Sequence, residues 1–196
     1  MTPESALALA GFALITSITP GPNNLMLMAS GANFGLRRTV PHMLGVALGF
    51  VAMTAAVGLG VMAAFDSLPW LEPALTTACL GYLLWLAWKV ANAAAPEGGS
   101  ATGRPLTFLQ AAGFQWVNPK AWAMALTAIG LYAPDRSLWA VLAVAAIFGA
   151  VNLPSVGLWA ASGVQVRRWL QSPGRLRAFN LTCAAGLIVS VVPFVI

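Results

Sequence analysis

Apolar residues run along this chain in six long stretches separated by short polar turns: about 5 to 33, 41 to 65, 69 to 93, 107 to 132, 138 to 163 and 178 to 196. Each approaches or exceeds the roughly 20 residues that a helix needs to cross a hydrocarbon core about 30 Å thick. The pattern predicts an all-α integral membrane protein with six transmembrane helices and no room for a separate soluble domain. The first stretch begins "MTPESALALAGF", with Glu4 where a signal peptide would carry Lys or Arg, so it reads as a retained helix.

Two of these stretches are interrupted. "ITSITPGPNNLMLMASG" places Pro20, Gly21 and Pro22 in the middle of the first, and "FQWVNPKAWAM" places Pro119 in the fourth. Proline lacks an N–H and clashes with the carbonyl four residues back, so both helices should break or kink there. Backbone groups freed inside a bilayer need partners from protein or from a watery cavity. Thr19, Asn23, Asn24, Gln115 and Asn118 stand beside the breaks to supply them.

The Gly/Pro/Ser-rich segment "AAAPEGGSATGRP", residues 93 to 105, divides the chain into two halves of three spans, about 1 to 95 and 106 to 196. Pro22 and Pro119 lie 97 residues apart, each about halfway through the first span of its half. Three spans per half is odd, so the halves would be inverted relative to one another within a single transporter domain. Each second half-helix would start near the midplane with unpaired N–H groups and a partial positive charge. Such ends suit a carboxylate, and Lys120 could add a full charge; a zwitterionic amino acid would fit. The alternative is that the prolines merely kink packed helices and that Lys120 snorkels to an interface.

Composition agrees with a membrane and adds orientation. Hydrophobic residues make up 59% of the chain and charged residues 8%, far from a soluble domain. Arg37, Arg38, Lys89, Arg104, Arg167, Arg168, Arg175 and Arg177 flank the odd-numbered loops, whereas Glu4, Asp66, Glu72, Asp135 and Arg136 lie opposite. The positive-inside rule then puts both termini outside the cytoplasm. The net charge of +5 is thus explained by topology, and nucleic-acid binding is not implied. No nucleotide-binding, HExxH or GxSxG motif occurs, which points away from ATP-driven transport and hydrolase chemistry. "GANFG" and "GVALG" have the small-residue spacing of close helix packing, and Trp70, Trp139 and Trp169 fall where an aromatic belt would lie.

"ITSITPGPNN", "GANFGLRRTVPHMLGVALGF", "GYLLWLAWKVA" and "FQWVNPKAW" resemble the signature segments of the LysE/RhtB superfamily of amino-acid exporters. Its cysteine- and O-acetylserine-exporting members share the "TPGPNN" break and a "YxxWLAWK" third span. The resemblance implies an inner-membrane efflux protein, not an enzyme, without cofactor or metal. It would export small neutral amino acids or derivatives, driven by protons or the membrane potential, as a homo-oligomer among lipids. Family members often carry an acidic residue in span 5, where this chain has Asn152 in "VNLPSVGLW". Asn152 and Pro154 would then form a third polar kink beside the path. Proton coupling would fall to Lys120 or to the sole histidine, His42, although His42 borders Arg37 and Arg38 and reads rather as an interface residue.

Two other functions remain open on the residues alone. Cys79 and Cys183 occupy similar places in the two halves, as the thiols of a membrane electron carrier would, but both stand in apolar surroundings. A membrane structural protein without transport activity is the other.

Overall fold

Helices in this chain start where the sequence supplies a cap and stop where it supplies glycine or proline. Thr2 accepts the Ser5 N–H and Pro3 follows it, opening α1 (Pro3–Ile18). Pro22 opens α2 (Pro22–Phe34), which ends at Gly35 with φ of 79°, a backbone that favours glycine. After α3 (Leu36–Gly58) and α4 (Leu71–Ala91) comes a reciprocal capping box between Thr107 and Gln110, which opens α5 (Phe108–Gln115). Asn118 caps α6 (Pro119–Tyr132), Ser137 caps α7 (Leu138–Arg167), and α8 spans Pro173–Val189. This computed structural model describes residues 1–60, 67–68, 70–93, 104–170 and 172–189, without the side chains of 71, 72 and 79.

Among the described residues, three helices are long and apolar enough to cross a membrane: Leu36–Gly58, Pro73–Ala91 and Leu138–Arg167. A fourth span results when α1 and α2, bent by 59° at their break, are taken as one. The predicted first stretch is thus two half-helices, and the predicted fourth is α5 followed by α6. Alone, α5 and α6 have 8 and 14 residues, each short of a full crossing, and α8 is described over 17 residues. The second helix starts at Leu36, five residues before its predicted boundary, because Pro41 is accommodated near the start of α3. Arg175 and Arg177, expected in a loop, belong to α8: Pro173 opens it and the Ser172 hydroxyl accepts the Arg175 N–H. Asp66, residues 61–65 of the second stretch, residues 94–103 of the linker and the last residues, 190–196, lie outside the described residues.

The long helix α7 is the hub, packing on α1, α2 and α3, while α3 also packs on α5 and α6, and α4 on α8. The close approach of α2 to α7 depends on glycine. A Cβ at Gly31 would strike the Ala160 carbonyl, and one at Gly163 the Met28 carbonyl. Gly45 and Gly49 similarly meet the backbone of α5, so GVALG serves packing, whereas of GANFG only Gly31 is packed and Gly35, with nothing near it, ends α2. The buried apolar residues form two clusters, one around Leu27, Leu86 and Phe114 and the other around Leu9, Met53 and Phe148. Leu7, Leu109, Leu131 and Leu158 are exposed on the outer surface, as suits lipid. Trp70, Trp139 and Trp169 are 61%, 81% and 80% exposed, consistent with belt positions.

Candidate functional site

The chain stops being helical at Ile18, and every carbonyl that this ending releases finds a donor. Thr19 N–H bonds to Ile15 O, and the Thr19 hydroxyl donates to Thr16 O at 2.9 Å. Asn24 Nδ2 donates to Ser17 O at 2.7 Å and to Thr19 O at 2.8 Å, folding the first residues of α2 back onto the end of α1. The Trp159 indole of α7 donates to Ile18 O at 3.1 Å. Lys120, from the other half of the chain, completes the set: Nζ donates to Thr19 O and Thr19 Oγ1, both at 2.9 Å, and to Pro20 O at 3.2 Å. An ammonium has three donors, and all three are used. The cation also sits at the C-terminal end of α1, where the helix dipole is negative.

The second break is tighter. Successive bonds from Trp116, Val117 and Asn118 to the carbonyls three residues back wind down α5, and the Trp122 indole donates to Trp116 O at 2.9 Å. Asn118 Oδ1 then accepts the Lys120 N–H at 3.1 Å. The expectation of two bare helix starts is therefore corrected at α6, where the asparagine that precedes the proline caps the helix itself. Gly21 has no side chain to cap α2, so that start remains without a side-chain cap.

The breaks face each other. Asn23 and Gln115 form a reciprocal amide pair, Nδ2 to Oε1 at 2.9 Å and Nε2 to Oδ1 at 3.2 Å, across 92 residues of sequence. Asn152 of α7 joins the same belt by donating to Ser17 Oγ at 3.0 Å, while its buried Oδ1 has no partner. Thr16, Gly21, Pro22, Asn23, Asn24, Gln115, Asn118, Lys120 and Asn152 all line one cavity of about 30 Å³. That is room for about a single water, not for an amino acid. Thr19, Pro20 and Pro119 stand beside it without lining it. The polar belt lies between the two apolar clusters, with Val46 of one and Phe50 of the other both on its walls.

Three residues of this belt were not anticipated from the sequence. Ser17 bridges Asn24 and Asn152, and Thr16 lines the cavity, yet both read as ordinary small residues of an apolar helix. Trp159 follows Asn152 by seven residues and so shares its face of α7. α7 is continuous through Pro154, which is carried within the helix, and Asn152 of the same segment lines the cavity. The interface reading of His42 is also corrected. It is 1% exposed, with neither ring nitrogen hydrogen-bonded. It shares a cavity wall with Met26, Ala29 and Ser30 of α2 and with Leu86 of α4. Cys183 is buried; the Cys79 side chain lies outside those described.

The cations collect at one end of the molecule. Lys89 and Arg104 line a common cavity with Phe34. Arg38 lies over the Phe34 ring at 5.5 Å, and Arg167 donates to Asn33 O at 3.5 Å.

A family model described as LysE type translocator matches residues 14–196. The chain is 30% identical to the cysteine/O-acetylserine efflux protein of Escherichia coli O1:K1, over 98% of each chain. It is 29% identical, over the same shares, to the proteins of that name from Escherichia coli strain K12 and Shigella sonnei strain Ss046. No solved structure matches it.

Proposed function

Because the chain belongs to the LysE family of translocators, we propose that it exports small neutral amino acids or their derivatives, cysteine and O-acetylserine foremost, across the cytoplasmic membrane. The family identifies it as a membrane transporter of amino acids and not an enzyme. The substrate assignment rests on the names of its relatives and on the chemistry of the breaks. The observation that carries it is the meeting of the uncapped start of α2, the Lys120 ammonium and the Asn23–Gln115 amide pair on one cavity.

In this reading the amino acid enters between the breaks, its carboxylate takes N–H donors from the start of α2 and from Lys120, and its ammonium meets Thr19, Asn24 or Asn152 oxygens. Lys120 must then release part of its hold on Thr19 and Pro20. Those bonds tie the second half of the chain to the first, so substrate binding would loosen one half against the other. The small cavity corresponds to a closed state, and rocking of the halves opens it alternately to each side.

The architecture that goes with this is six spans in two inverted halves, residues 1–95 and 106–196, with α1–α2 and α5–α6 as broken first spans. The gathering of Arg38, Lys89, Arg104 and Arg167 at one end supports placing that end in the cytoplasm and both termini outside. Protons or the membrane potential would drive export, with Lys120 and His42 the candidate coupling groups, and the protein would work as a homo-oligomer in the inner membrane. No observation favours the thiol carrier or a structural protein over transport. An efflux assay in exporter-deficient cells loaded with a panel of amino acids tests the proposal. Accelerated loss of cysteine or O-acetylserine is expected, and no effect on any neutral amino acid would refute it.

A further inference from the structure

A larger open space than the one at the breaks lies elsewhere among the described residues. A cavity of about 180 Å³ lies at the cation-rich end and shares no lining residue with the cavity at the breaks. α2 joins the two. Asn23 and Asn24 at its start line one, and Ser30, Asn33 and Phe34 toward its end line the other, about 10 Å further along the helix.

Three features of this second cavity converge on a ligand. His42 is on its wall, buried, with both ring nitrogens unpartnered. Buried polar groups are nearly always hydrogen-bonded, so an imidazole in the cavity wall whose two ring nitrogens are buried and unpartnered is an unmet hydrogen-bonding demand beside the chamber. Lys89 and Arg104 also line it, and no acidic side chain does so among the described residues. The remaining wall is largely apolar, with Met26, Leu86 and Leu106. By contrast Asn33 is already satisfied, held by a reciprocal amide pair with Asn180 of α8 at 2.8 and 3.2 Å, which fixes that side of the chamber.

We propose that this chamber is a second amino-acid site on the cytoplasmic side, which holds a small neutral amino acid before it passes along α2 to the breaks. This rests on the reading that the chain exports amino acids. Lys89 and Arg104 take the carboxylate. His42 supplies an acceptor for the ammonium group or a donor for the carboxylate, and the apolar wall takes a short uncharged side chain. Two cations and an apolar wall reject lysine and arginine, whose side-chain charge would find no partner there.

His42 is the only histidine in the chain, which makes its imidazole a single reporter. The test is nitrogen NMR of the untagged full chain, labelled with ¹⁵N-histidine, in phosphatidylcholine nanodiscs. O-acetylserine should shift the ring resonances saturably. The shift should persist in Lys120→Met and need at least tenfold more ligand in Lys89→Gln/Arg104→Gln, while lysine at the same concentration leaves the ring unmoved. Absence of a shift at concentrations at which the same preparation exports O-acetylserine would overturn the second site while leaving export standing. A preparation that exports no amino acid would instead overturn the reading on which it rests. A shift lost equally in Lys120→Met would mean one site and not two. A shift produced by inorganic phosphate or by phosphatidylglycerol nanodiscs, and not displaced by O-acetylserine, would make the chamber a phosphate or lipid-headgroup site and refute the proposal.

Discussion

Replacing Lys120 by Met removes the one full charge on the cavity at the breaks among the described residues, and the structure sets how large the effect should be. The ammonium already donates to Thr19 O, Thr19 Oγ1 and Pro20 O. A substrate carboxylate therefore gains the difference between an ionic contact and the bond it displaces, which is less than a whole ion pair. A hydrogen bond to a charged group contributes about 1.5–3 kcal/mol net, and 1.4 kcal/mol is a factor of ten. Affinity for an amino acid should fall by roughly ten- to a hundredfold. The fold should survive, because Thr19 O keeps Asn24 as a donor and only Pro20 O is left bare, at an exposed position. The assay is equilibrium binding to purified protein of an amino acid and of its amide, whose neutral head gains little from the charge. Asn23→Ala provides the comparison: it breaks the amide pair to Gln115 and should weaken both forms while leaving Lys120 in place. Equal losses for acid and amide in Lys120→Met would show that Lys120 ties the two halves together without touching substrate, and the carboxylate assignment would fall.

The other predictions follow from packing, thiols and topology. Gly31→Ala or Gly163→Ala should cost about 1–3 kcal/mol or more by forcing α2 off α7, seen as an earlier melting transition in detergent, whereas Gly11→Ala, with open space around it, should melt like the parent; equal melting of all three would contradict the α2–α7 contact. Joint replacement of Cys79 and Cys183 by Ala should leave export largely intact, and complete loss with normal membrane insertion would revive the thiol carrier. A reporter fused after Ile196 should read as external and one inserted near Gly99 as cytoplasmic; the reverse pattern would invert the orientation.

Much of this was legible because proline inside an apolar stretch is costly and therefore informative. Pro20, Pro22 and Pro119 marked the points where α1 gives way to α2 and α5 to α6, and the amides beside them marked the belt. What each amide does was not legible, since it depends on contacts between distant segments. Lys120 was expected to wait for substrate but is held by three oxygens of the other half, and Asn118 was expected to face a bare helix start but caps it. Pro154 resembled the breaking prolines, yet α7 carries it without stopping. Pro20 and Pro22, by contrast, flank a glycine. His42 was misjudged because adjacent arginines suggest an interface, whereas the residue is 1% exposed in the packed fold.

Thr16 offers the most direct view of the central claim that an amino acid occupies the space between the breaks. It lines the cavity, and its hydroxyl bonds only to carbonyls of its own helix, Phe12 and Ala13, so Thr16→Cys on a background lacking Cys79 and Cys183 should preserve the site. The measurement is the rate at which a small charged thiol reagent labels this cysteine in membrane vesicles, with and without saturating O-acetylserine. Slow labelling that the amino acid suppresses at least several-fold, with the amide protecting far less, is the result expected. Labelling indifferent to every amino acid that the protein exports would place the transport path elsewhere.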